Sequence, residues 1–215
     1  MLNIMSSADE EMIKAREEQI LGQPPRIPPL DRSTIAQVAA ESTARLRKAA
    51  VKDGPPLKLE EIPEIVVTLL RYPALWEAIC GVSIQLLGAD AKLPYRDRHI
   101  AILRTAWVWQ CPFEWGEHVK HAHQGGFTKD DIERIIEGAS AQGWSALERA
   151  LLQTVDKLKT DAMVCDETWS VLSQHYDENQ LFELLVLIGQ FTNVAFFQNA
   201  LRLRLEPGNK GLMAR

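Results

Sequence analysis

The chain has 215 residues, of which 46% are hydrophobic and 25% charged, and a net charge of −5. A composition this close to the globular average excludes extended disorder, and the mild acidity argues against nucleic acid as the main partner, because backbone binding needs clustered Lys and Arg uncompensated by acids. The three cysteines, Cys80, Cys111 and Cys165, are odd in number and widely spaced, which fits free thiols in a reducing, cytoplasmic setting better than a disulfide scaffold.

The opening MLNIMSSADEEMIKAREEQI carries early acids where a signal peptide would be apolar, and no later segment reads as a charge-free membrane span, so no membrane partner is expected. Ser6 or Ser7 caps a polar helix over Ala8 to Leu21. GQPPRIPPL then breaks it, since prolines cannot sustain a helical hydrogen-bond ladder. Residues 1–30 therefore read as a helical arm and Pro-rich connector, an arm that packs on another subunit or frays. Asp31 opens a second helix with apolar positions at Ile35, Val38, Ala39 and Leu46, stopping near KDGPP. EIPEIVVTLLRYPALWEAICGVSIQLLG forms two helical pieces divided at Tyr72 and Pro73.

LPYRDRHIAILRTAWVWQ starts a helix near Pro94, with Ile100, Leu103 and Trp107 at helical spacing. Pro112 suits the first turn of the next helix and Gly125-Gly126 its end, giving Pro112 to Gln124. Thr128 to Gly138 is capped by Thr128 with Asp131 three positions on. Trp144 to Lys159, Asp166 to Gln174 and Glu178 to about Leu201 complete the series, and EPGNKGLMAR reads as a loose tail. Helical periodicity accounts for most apolar positions, so residues 31–206 are expected to form one all-α domain, with 207–215 a flexible tail.

The helix WQCPFEWGEHVKHAHQGG concentrates the chemistry. Cys111 falls at its N-terminal boundary, where amide donors and the helix dipole stabilise a thiolate; the same position equally suits a small buried hydrophobe in a tight turn. Glu114 and His118 are one turn apart on a shared face. A carboxylate there fixes the imidazole tautomer and makes a general base, or the two form an ordinary i,i+4 pair. His121 can join the same face, whereas His123 points elsewhere; both also suit a helix C-terminus. No HExxH or CxxC spacing is present, so no metal is expected. Upstream, Arg96, Arg98 and His99 sit on the preceding helix, where an arginine suits a substrate carboxylate. Trp107, Trp109 and Trp115 offer either a flat apolar wall or core packing.

LPYRDRHIAILRTAWVWQCPFEWGEHVKHAHQGGFTKDDIERI resembles the carboxymuconolactone decarboxylase-like superfamily, which includes the alkylhydroperoxidase D-like proteins, and the likeness extends over Leu57 to Glu206. It implies an all-helical fold assembling into dimers, trimers or hexamers, with a pocket lined by the histidine-rich helix and its predecessor. In the peroxidase branch a glutamate acts with a CxxC pair and a histidine. Those positions fall here on His99, Cys111, Glu114 and His118, so a carboxylate stands where the second sulfur would be.

The decarboxylating branch implies His118 as the acid or base, Glu114 orienting it, His99 in the acid position and Arg96 or Arg98 holding a carboxylate, with no cofactor. The resemblance thus implies a cofactor-independent lyase acting on a small carboxylated lactone or aromatic-derived compound. A thiol-dependent alkyl hydroperoxide reductase and a non-catalytic oligomeric helical protein stand as alternatives.

Overall fold

The computed structural model describes residues 7–49 and 58–215, and among them every regular element is helical. Ten α-helices run in order: α1 Ser7–Ile20, α2 Arg32–Ala49, α3 Glu64–Leu69, α4 Pro73–Leu87, α5 Tyr95–Val108, α6 Pro112–Gln124, α7 Lys129–Glu137, α8 Ala146–Asp161, α9 Asp166–His175 and α10 Glu178–Leu201. The KDGPP stop and the side chain of Leu46 lie outside the described residues. Local chemistry sets most boundaries. Asp31 accepts from the Ser33 amide and hydroxyl ahead of α2, and Thr128 and Asp131 cap one another reciprocally at α7. The α8 helix begins two residues after Trp144, because Ser145 and Glu148 form the same reciprocal cap.

Helix α5 is the centre. Ile100, Ala101, Ile102 and Leu103 are consecutive and all fully buried, which a helix achieves only when neighbours cover every side; α6, α8 and α10 do so. A second apolar cluster joins α2, α3 and α4 to the end of α10 and contains Ile62, Val67, Trp76, Cys80, Cys111, Phe113 and Ala195. Arg104 ties the frame together. Its guanidinium donates to both oxygens of Asp156 in α8 and to the carbonyls of Ile135 and Ile136 at the end of α7.

Three expectations are corrected here. The arm folds onto its own chain: Ile13 and Ile20 are buried, Arg16 Nε donates to the Gln110 carbonyl, and Glu17 Oε1 accepts from the Leu212 amide. Its connector is strapped down by Arg71 to the Pro28 carbonyl and by Arg204 to the carbonyls of Leu21 and Gln23.

The closing residues are not loose either. Leu212 and Ala214 are buried, and the Ala214 carbonyl accepts from Trp115 Nε1 at 3.0 Å, so the tail seals the apolar side of α6. Finally, α10 is long and apolar enough to cross a membrane by length and composition. It acts as a core helix, burying Leu184, Leu187, Phe191 and Ala195, while its Glu183 carboxylate accepts the amides of Lys92 and Leu93 ahead of α5.

Candidate active site

The α5–α6 connection is a Schellman turn. Gln110 adopts a left-handed φ of 48°, and the Cys111 amide reaches back to the Ala106 carbonyl at 3.0 Å. A non-glycine residue is disfavoured there, and its own Nε2 offsets part of the cost by donating to the Trp107 carbonyl. Asn199 of α10 donates to the Trp109 and Gln110 carbonyls, and Arg16 of α1 to the latter, so two other helices fix the turn. The short turn makes α5 and α6 an antiparallel hairpin. Trp107 faces Trp115 at one end, and Tyr95 reaches the His121 carbonyl at the other.

That pairing brings the expected catalytic residues together. Glu114 Oε2 lies 3.3 Å from His118 Nε2, with both side chains nearly out of solvent. The His99 ring, on α5, is centred 5.8 Å from the His118 ring, and His121 stands edge-on to His118 at 5.4 Å. Burial pushes the Glu114 carboxyl up to about 8, so near neutral pH it holds a proton that most glutamates have lost. His99 Nδ1 lies 3.0 Å from the Tyr95 carbonyl. A carbonyl can only accept, so in the neutral ring Nδ1 carries the proton and Nε2 is the basic nitrogen.

Cys111 behaves differently from a helix-terminal thiolate. It is fully buried, and burial together with the Glu114 charge raises its thiol far above the ordinary range, outweighing the Phe113 and Glu114 amides that pull it down. Of the two readings open to this position, the small buried hydrophobe is the one the packing realises.

The arginines and tryptophans are also reassigned. Arg96 is committed to Asp131 at 2.9 Å and Glu148 at 2.8 Å and lies over the Phe127 ring, leaving it badly placed to hold a substrate carboxylate. Arg98 is buried, donates to the Leu86 carbonyl, and retains a buried Nε without a hydrogen-bond partner. Its guanidinium sits 5.7 Å from the Tyr95 ring, and that Nε is a donor still to spare.

Trp107 and Trp115 pack on each other at 4.9 Å beneath the C-terminal residues, with Arg215 over Trp107. They are core, not wall. Trp109 donates to Thr192 and meets Phe196 edge-on, away from the imidazoles. The aromatic surfaces around the imidazoles come instead from Phe191, edge-on to His118 at 5.0 Å, from Phe127, and from Tyr95, stacked on His99 at 3.9 Å. Only Tyr95 left a trace in the sequence, as an aromatic one helical turn before a histidine. Among the described residues no group of three or more His, Cys, Asp or Glu is arranged to hold a metal ion.

Residues 71–156, which include α5, α6 and α7, match the carboxymuconolactone decarboxylase family model. Over that stretch the chain is similar to the carboxymuconolactone decarboxylase family. Among solved structures, the debrominase Bmp8 is 15% identical with a TM-score of 0.67, over 86% of this chain and 94% of that one; a cysteine-to-alanine variant of it is solved with 2,3,4-tribromopyrrole.

An uncharacterised peroxidase-related protein with an AhpD core, from Ralstonia eutropha JMP134, is 15% identical with a TM-score of 0.68 over the same shares. A protein of unknown function from Agrobacterium tumefaciens is 21% identical with a TM-score of 0.58, over 64% of this chain and 94% of that one. At these identities the structures share the fold. No protein of curated function matches the sequence. Members of the superfamily act as cofactor-independent lyases or thiol-dependent peroxidases, and this site carries one of the groups each would need: an acid–base pair and a thiol.

Proposed function

We propose that the chain is a cofactor-independent lyase in which Glu114, His118 and His99 move a proton on a small carboxylated lactone or aromatic-derived compound. The observation that carries this reading is the buried Glu114 carboxyl, pushed up to about 8, with its Oε2 3.3 Å from His118 Nε2. A group poised near neutrality can give and regain a proton with little driving-force penalty. In a decarboxylation the bond to the departing CO2 breaks and its electron pair passes into the conjugated lactone. His118 then delivers a proton to carbon while Glu114 replaces it on Nε2. His99 serves as the second acid, and Arg98 holds the carboxylate. Water would protonate the intermediate unselectively, and Phe191, Phe127 and Tyr95 exclude it.

A second reading, thiol-dependent reduction of an alkyl hydroperoxide, is supported by the solved relatives, which include a peroxidase-related protein and a debrominase studied as a cysteine variant. Against it in this chain stand a fully buried Cys111 with a raised thiol and a carboxylate at position 114.

The discriminating experiment assays wild type, His118→Ala, His99→Ala and Cys111→Ser for CO2 release and solvent-deuterium incorporation with a panel of lactone acids, and for consumption of an organic hydroperoxide with dithiothreitol. The proposal expects the first activity to be lost in His118→Ala and kept in Cys111→Ser. Survival in both histidine variants refutes it. The same proposal includes a cytoplasmic homo-oligomer. The apolar helices α4 and α10 leave Leu75, Val82, Phe182 and Phe196 exposed, and light scattering at several concentrations tests the assembly.

A further inference from the structure

One residue of the site does more than help exclude water. Tyr95, the first residue of α5, stacks its ring on His99 with the centroids 3.9 Å apart and the planes 24° from parallel. The ring is 40% exposed while His99 beneath it is 4% exposed, so it stands between solvent and the imidazole. Its hydroxyl donates to the His121 carbonyl at 2.7 Å, one helix over; burial raises the phenol further above neutrality, so it stays protonated as a donor.

Opposite the ring, Gly125 leaves room that no other residue would: a Cβ there would fall inside the Tyr95 ring. The backbone contributes as well, since the Tyr95 carbonyl lies 3.0 Å from His99 Nδ1 and fixes its tautomer. One residue therefore sets which nitrogen of His99 is basic, holds the ring plane, and latches the start of α5 to the end of α6.

We infer that Tyr95 is the positioning residue of the His99–His118 pair and the outer cover of its site, seated by Gly125. Its functional meaning rests on the acid–base reading above. The geometry fixes a division of labour: the carbonyl orients His99, the ring shields it, and the hydroxyl keeps the ring in place. Arg98, 5.7 Å from the same ring, is then released or withheld together with it, so a carboxylate that reaches Arg98 does so by turning Tyr95 aside.

The test labels histidines of the folded protein with diethyl pyrocarbonate and follows each by peptide mass spectrometry, with exposed His175 as the internal reference. His99 should react at least ten-fold faster, relative to His175, in Tyr95→Leu than in wild type. Gly125→Ala, which displaces the ring without removing it, should accelerate labelling at least five-fold. Tyr95→Phe keeps the stack and drops only the latch, and should stay below five-fold. In proton spectra the His99 ring protons should sit upfield in wild type and in Tyr95→Phe, and return toward ordinary positions in Tyr95→Leu.

Labelling of His99 within two-fold of wild type in a Tyr95→Leu protein that melts normally overturns the inference, as does an unchanged His99 spectrum. If Tyr95→Leu unfolds, the Gly125→Ala and Tyr95→Phe pair decides alone: equal rates in the two overturn it. None of these readouts uses catalysis, so a lyase assay that fails leaves the cover standing, and a failed cover leaves the lyase reading to its own variants.

Discussion

Glu114→Gln should make the protein more stable as the pH rises, because it removes a carboxyl that the fold prefers protonated. In the unfolded chain Glu114 ionises near the ordinary value of 4.5, whereas burial holds it protonated in the fold up to about 8. Between those values the unfolded state binds fewer protons, so the wild type loses stability as pH rises, with the full contribution present below 4.5 and gone above 8. At about 1.4 kcal/mol per pH unit, that interval sets a ceiling of about 5 kcal/mol. The ceiling is approached only if His118, 3.3 Å away, stays neutral; a proton taken up by His118 would compensate the carboxylate and flatten the curve.

Urea unfolding followed by circular dichroism at pH 5, 7 and 8.5 measures it. The two proteins should agree within about 1 kcal/mol at pH 5, and the glutamine variant should lead by about 4 kcal/mol at pH 8.5. Other buried carboxyls, such as Glu206 at about 7, titrate in both proteins and cancel in the difference. A difference that does not change across the range refutes the argument, because it would mean that Glu114 ionises in the fold as it does in water.

Arg104→Met should cost about 3–5 kcal/mol in the same unfolding assay, since it strands Asp156 and the last carbonyls of α7. Leu212→Ala should cost about 2–5 kcal/mol and shift tryptophan emission to the red, as solvent reaches Trp115 beneath the tail. With Ellman's reagent, partly exposed Cys165 should react in the native protein, while Cys80 and Cys111 react only on unfolding. Native-state labelling of Cys111 would revive the thiol reading.

The histidine-rich helix was legible because its signals are local. Pro112 starts it, Gly125 and Gly126 end it, and the spacing of Glu114 and His118 guarantees a shared face. Thr128 and Asp131 were legible for the same reason. What escaped the sequence depends on residues far along the chain. Arg96 looks available until Asp131 and Glu148 arrive from 35 and 52 positions away. Cys111 looks like a helix-end thiol until α3, α4 and α10 close over it. Trp107 and Trp115 look like a wall until the Ala214 carbonyl, 99 positions beyond Trp115, covers them. Local rules placed the groups, and tertiary packing decided which of them keeps free valence.

The fastened turn at Gln110 bears on how fast the site can be entered. With Arg16 and Asn199 both holding its carbonyl, the hairpin of α5 and α6 has no loose joint at that end, and the Tyr95 hydroxyl ties the other. Helices tethered at both ends do not part on the microsecond-to-millisecond schedule of domain hinges. Admission to the imidazoles is therefore a side-chain event, the swing of one exposed ring, on roughly the picosecond-to-nanosecond scale of surface rotamers once its latch is broken. If the proposed lyase is then limited by proton transfer, solvent viscosity should leave its turnover nearly unchanged.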